Sequence, residues 1–200
     1  MVCLVRVVLF GAFWCLLVPF GALGCFSGVG CARASRRVVD GRQYHAVMAD
    51  APAYRVWPPV ALGAPLVAGW ILTATVGDPL PLPPVISRIV ALALTLAFAL
   101  WNGWALWLMG RHRTALLPGG STSEILDSGP FRWSRNPLYL GLVAFDAALA
   151  LWWPSFWALV LVPVGVVALW WGAIVPEERY LDAKFGEEYR AYSRRVRRWL

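Results

Sequence analysis

The 200-residue chain is 60% hydrophobic and only 14% charged, with a mean hydropathy of +0.61. Soluble domains run about 45–50% apolar and about 25% charged, so this composition excludes an ordinary soluble domain. The net charge of +7 comes from arginines that flank apolar spans rather than forming one basic face, which argues for a membrane protein and against nucleic acid as a partner.

The first 47 residues differ from the rest. Arg6 precedes an apolar run, Val7 to Leu23, of the kind found in signal peptides and first transmembrane helices. An Arg-rich stretch, 32–43, follows, and Met48-Ala-Asp-Ala-Pro then reads as an ordinary N-terminus. Residues 1–47 therefore stand as a signal-like segment, an extra helix or a mis-assigned start, and no chemistry is assigned to them. All four cysteines (Cys3, Cys15, Cys25, Cys31) fall there, and the only histidines are His45 and His112. The remaining chain has no thiolate site and too few histidines for a metal centre or a Ser-His-Asp triad, so no metal is expected.

From residue 48 the expectation is an all-α polytopic membrane protein of about four transmembrane helices, with a possible fifth at the N-terminus and a C-terminal amphipathic helix. Two transmembrane helices fill 48–109, at about 59–76 and about 85–109, each near the ~20 residues that cross hydrocarbon. The turn between them, Gly77 to Pro84, is proline-rich and carries no cation. A polar loop at 110–137 carries Arg111, Arg113, Arg132 and Arg135. A hairpin follows, with spans at about 138–153 and 155–175 turning at Trp152-Trp153-Pro154. The tail, 176–200, is rich in arginine. A hairpin returns the chain to its starting side, so loop and tail share a face, and the positive-inside rule makes that face cytoplasmic. The localisation expected is the inner (cytoplasmic) membrane.

The tail reads as one helix, because Leu181, Phe185, Tyr189, Tyr192, Val196 and Trp199 recur every three or four residues. Pro176 and Glu177-Glu178 suit a helix start. Taken alone, the stripe fits an interfacial helix resting on anionic lipid.

Three places could carry chemistry. In Ser128 to Gly141, the prolines hold Arg135 and Asn136 in turn or extended geometry where a span begins at Pro137. Helix-start N–H groups, a guanidinium and an amide could there face an anion such as a carboxylate; lipid-phosphate contact by Arg132 and Arg135 is the structural reading. Glu177-Glu178 lies at the same depth across the hairpin, either paired with Arg132 or Arg135 or free for a cationic or hydroxyl-bearing ligand. Asp146 falls mid-span on the face of Tyr139, a functional carboxylate or a hydrogen-bond partner of Asn102. His112, among arginines, reads as a solvated charge.

These residues resemble a known family. Ser-Gly-Pro-Phe-Arg-Trp-Ser-Arg-Asn-Pro-Leu-Tyr-Leu-Gly (128–141) resembles the Gly-x-Tyr-x-x-x-Arg-His-Pro-x-Tyr-x-Gly motif of isoprenylcysteine carboxyl methyltransferases. The tail, from Glu177-Glu178 through Leu181, Phe185-Gly186 and Tyr189 to Tyr192, resembles that family's ending. The doubled Glu is also similar to the phospholipid methyltransferases. The match covers roughly 110–200, which the resemblance makes a methyltransferase-like catalytic region.

The resemblance implies a membrane methyltransferase using S-adenosyl-L-methionine. Carried over, the cofactor residues are Ile125, Leu126, Phe131, Arg135, Asn136, Pro137, Tyr139, Glu177 and Glu178, with Arg132 and Arg135 as candidates to orient acceptor or cofactor. Asn136 takes the place of the motif's His, and Phe131 that of its Tyr. Ala173 stands where the family's carboxyl methyltransferases carry an Arg for the substrate carboxylate. The partners implied are the lipid bilayer and a lipophilic acceptor, an isoprenoid- or lipid-linked carboxylate or an amine. The alternatives are an NADPH-dependent membrane reductase of the steroid-reductase type, which Leu142 after Gly141 disfavours, and a non-enzymatic membrane scaffold.

Overall fold

The computed structural model describes residues 53–112 and 124–200, within a compact unit that begins at Ala51. The readings of 1–47 and of Arg113 lie outside the described residues. The elements are α1 (Pro58–Thr75), α2 (Pro84–Arg111), a 3-10 turn (Gly129–Arg132), α3 (Pro137–Trp152), α4 (Phe156–Leu169), a π-helical turn (Trp170–Ile174), α5 (Val175–Phe185) and α6 (Glu187–Arg195). The all-helical expectation is met, and three helices are long and apolar enough to cross a membrane: α1, α2 and the continuous Phe156–Phe185. The chain is a multi-pass membrane protein. At 16 residues, α3 rises only about 24 Å, short of the ~30 Å hydrocarbon core. It packs between α2 and α4.

Local chemistry explains where the helices begin. Pro58, Pro84 and Pro137 open α1, α2 and α3, where the fixed φ suits a first turn and the missing N–H would have had no partner. Ser155 caps α4, its hydroxyl accepting from the Ala158 N–H at 3.0 Å.

Packing is pairwise, α1 on α4 and α2 on α3. Small residues allow it, as is common between helices in lipid. A Cβ on Gly69 would stand 2.3 Å from the Ala158 Cα, and one on Gly141 would stand 2.0 Å from Asn102 Oδ1. Asn102 uses that access to donate to the Leu138 carbonyl at 3.3 Å, and Trp101 donates to the Pro137 carbonyl at 2.9 Å. Val85, Ile86, Ile89, Leu92, Leu96 and Leu100 leave α2 with an exposed apolar face.

Two features depart from the expectation for the tail. Pro176 does not start a helix: Ile174 and Val175 are already helical in φ and ψ. Pro176 sits inside a helix that widens into a π turn just before it, Val175 N–H reaching back to the Trp170 carbonyl. Proline cannot donate to the carbonyl four residues earlier, and a π turn is a recognised accommodation. That carbonyl belongs to Gly172, and it accepts instead from Arg55 N–H at 2.8 Å and Val56 N–H at 3.3 Å. The helix-start argument for Glu177 and Glu178 therefore does not hold.

The second departure is at Gly186, which adopts φ 54 and ψ −120. This backbone is open to glycine and costly for other residues, and it splits the tail into α5 and α6. Val196 then leaves the helix in extended geometry. Tyr189, Tyr192 and Val196 form a buried cluster with Leu181, Phe185 and Ile125. Trp199 instead packs on the cluster of Ala61, Leu62, Tyr139, Leu169, Ala173 and Ile174. Most of the apolar stripe thus covers protein.

Candidate functional site

The π turn organises one half of the site. By capturing the N–H groups of Arg55 and Val56 it fixes the segment before α1, and Gly172 lies so close to Val56 that a Cβ there would meet the Val56 Cβ at 2.7 Å. Tyr54 is thereby brought to Glu177. Its hydroxyl lies 3.5 Å from Glu177 Oε2. Tyr139, from the first turn of α3, donates to the same oxygen at 2.8 Å and stands 3.4 Å from the Tyr54 hydroxyl. Two phenols therefore hold one carboxylate oxygen. Among the described residues no cation pairs with Glu177 and none donates to its Oε1.

Glu178, one residue on, has the opposite environment. Arg198 grips it with a fork, Nε to Oε1 at 3.0 Å and Nη2 to Oε2 at 2.7 Å. Arg135 Nη1 approaches Oε1 at 3.3 Å, with both side chains largely buried. Arg135 Nη1 also lies 3.5 Å from the Tyr189 hydroxyl. Burial above all, then the charge of Glu178, pushes the Tyr189 phenol up to about 12, so it stays protonated and neutral. The hydrogen bond to Glu178 raises the Arg198 pKa above its ordinary value. Arg135 Nε is buried and has no acceptor among the described residues.

Residues 196–200 lie against the start of α3. Arg135 N–H donates to the Arg197 carbonyl at 2.9 Å. The Arg198 carbonyl accepts from Ser134 Oγ and from Asn136 Nδ2, each at 3.2 Å. Asn136, expected from sequence to face a ligand, turns its Nδ2 to the Arg198 carbonyl.

The loop residues are positioned by the same tail. Leu126 is buried, Ile125 packs on the Tyr189–Tyr192–Val196 cluster, and the Phe131 carbonyl accepts from the Tyr192 hydroxyl at 2.7 Å. Pro137 opens α3 and is buried. A cleft of about 490 Å³ runs between loop and tail, lined by Asp127, Ser128, Gly129, Arg132, Tyr192, Arg195 and Val196. Arg132 is exposed at its rim. His112 pairs with Glu124 rather than standing alone.

The structure therefore brings Tyr139 and Glu177 together, and joins Arg135 and Glu178 in an adjacent ion cluster. Arg132 sits apart from these pairs, in the cleft. Asp146 is only 2% exposed, and neither carboxylate oxygen has a partner among the described residues. Asn102, proposed as its partner, bonds to Leu138 instead. Ala173 is fully buried in the apolar cluster that holds Tyr139. Three contributors were not singled out from sequence. Tyr54 was signalled only by a lone Tyr ahead of a span, and Arg198 was one of many tail arginines. Tyr189 stood in the apolar stripe and in the tail motif of the resemblance, without a role of its own.

Residues 86–188 match the model of the phospholipid methyltransferase family. That is just over half of the 200-residue chain, and the chain belongs to this family. An uncharacterized protein of Haemophilus influenzae (strain ATCC 51907 / DSM 11121 / KW20 / Rd) is 40% identical over 63 residues, which is 32% of this chain and 100% of its own length. No solved structure matches the chain.

Proposed function

We propose that the chain is a membrane-embedded methyltransferase that uses S-adenosyl-L-methionine and acts on a lipophilic acceptor. One observation carries the reading beyond family membership. Of two adjacent carboxylates, Glu178 is gripped by two guanidiniums, whereas Glu177 has only neutral phenols. The ligand suited to this pair of environments is zwitterionic. Both phenols are directed to Oε2 of Glu177, which leaves Oε1 for an ammonium or hydroxyl donor, and the orphaned Nε of Arg135 calls for an anionic acceptor. The amino-acid end of S-adenosyl-L-methionine has both groups, so the residues present fit it.

When bound, the cofactor supplies an electrophilic methyl group on a sulfonium. The chain's part is then to bind, orient and exclude water, which is what methyl transfer chiefly requires. Glu177 receives the donor group, held in place by Tyr139 and Tyr54. Arg135 receives the carboxylate, and Glu178 meets only its Nη1 corner. Pro137 and Asn136 set the start of α3, while Ile125, Leu126 and Phe131 form the loop wall beneath α6. Arg132, exposed at the cleft, is placed to meet the polar end of the acceptor. That acceptor is an isoprenoid- or lipid-linked carboxylate, or an amine, entering from the bilayer. Residues 110–200 are the catalytic region, and 48–109 supply two supporting spans. The arginine-rich end faces the cytoplasm, across the cytoplasmic membrane.

Glu177→Ala tests this site. It should weaken binding of S-adenosylhomocysteine by about tenfold or more, the scale of a hydrogen bond to a charged group, while the protein still inserts and purifies. Unchanged affinity would remove Glu177 from the site.

A further inference from the structure

The fork from Arg198 leaves Glu178 only a single, end-on contact to offer Arg135, at Oε1 and 3.3 Å. We propose that Arg198 is a positioning residue, which holds Glu178 off Arg135 so that the Nε/Nη2 edge of Arg135 stays free for the carboxylate of a ligand. The inference rests on the cofactor reading above.

Three observations support it. A guanidinium binds a carboxylate best through two parallel N–H groups. The Nη1 corner of Arg135 is already directed at Glu178 and Tyr189. Nε and Nη2 share the other edge, and Nε is buried there without an acceptor. A buried charged donor left unpaired is costly, and Glu178 is the carboxylate at hand to relieve it. It does not, because Arg198 holds both of its oxygens.

The position of Arg198 is itself determined. Its carbonyl is pinned by Ser134 and Asn136, and the carbonyl before it by Arg135 N–H. Its guanidinium lies 6.0 Å from the centre of the Trp170 ring, within cation–π range. The chain's end thus reaches the site through both backbone and side chain. Without the fork, Glu178 can swing to a bidentate pair with Arg135 and consume the free edge.

The test compares two ligands on the full-length, detergent-solubilised protein. S-adenosylhomocysteine carries the amino-acid carboxylate, and methylthioadenosine lacks that whole end. Arg198→Ala should weaken the first by about tenfold and leave the second within about twofold. Arg198→Lys, which keeps the charge without the fork, should fall between. Adding Glu178→Gln to Arg198→Ala removes the competing carboxylate and should restore most of the lost affinity. Equal losses for both ligands would mark Arg198 as merely structural, and no loss for either would overturn the proposal outright. Failure of the double variant to recover would also overturn it. If the unaltered protein binds neither ligand, the cofactor reading fails and this proposal with it.

Discussion

Tyr139 donates a 2.8 Å hydrogen bond to Oε2 of Glu177, 38 residues along the chain. This contact ties the first turn of α3 to the helix that follows the π turn, and so joins the two sequence motifs at one atom. The carboxylate it orients has no cationic partner among the described residues, so its direction depends on the two phenols.

Tyr139→Phe removes the stronger of those donors with almost no change in shape. Affinity for S-adenosylhomocysteine should drop by about tenfold, because a hydrogen bond to a charged group is worth about 1.5–3 kcal/mol. The melting temperature in detergent should fall by only a few degrees, because the bond to Glu177 is lost while the ring keeps its place in the cluster with Leu62 and Ile174. Titration calorimetry and a thermal melt on the same sample check both statements.

Pro176 acts at a distance, through the carbonyl it cannot satisfy. Pro176→Ala returns an N–H that can close an ordinary helical bond to Gly172, in competition with Arg55 and Val56. The segment before α1 should loosen, and Tyr54 should leave Glu177. Limited trypsin digestion at Arg55 should then run about fivefold faster, the effect of roughly 1 kcal/mol of local stability. An unchanged cleavage rate would mean that the π turn does not hold this segment.

Gly141 is required by packing rather than by backbone conformation. Gly141→Ala drives a methyl into Asn102, and overpacking of this kind costs about 1–3 kcal/mol. Thermal unfolding in detergent should register the loss. Asn102→Ala in the same chain should recover much of it, because the obstructing amide is gone.

Much of the fold was legible in the sequence because it follows from simple patterns. Long apolar runs marked α1, α2 and the hairpin, and Pro58, Pro84 and Pro137 stand where three helices begin. The tail was harder. An apolar stripe has the same period whether it faces lipid or protein, and nothing local says that Ile125 and Phe131 lie beneath it. Gly186 inside that stripe was a readable sign of a break. Pro176 signals a helix start or an interrupted helix equally well, and only tertiary contact with Arg55 and Val56 decides.

The candidate site was legible by residue type more than by partner. Sequence placed Glu177, Glu178, Arg135 and Tyr139 at one depth, and the structure pairs them as Tyr139 with Glu177 and Arg135 with Glu178. Which carboxylate is spent on an ion pair depends on Arg198, 20 residues away from Glu178. Asn136 was expected to face a ligand, and the structure adds a bond from its Nδ2 to the Arg198 carbonyl. Contacts made by the end of a chain carry no periodic signal, so such pairings are invisible until the chain is folded.

The most direct test of the account is equilibrium binding of S-adenosyl-L-methionine, or its demethylated product, to the purified, detergent-solubilised protein, with NADPH measured in parallel. The account predicts saturable binding of the adenosyl ligand and none of NADPH. Binding of NADPH alone, or of neither ligand, would contradict it.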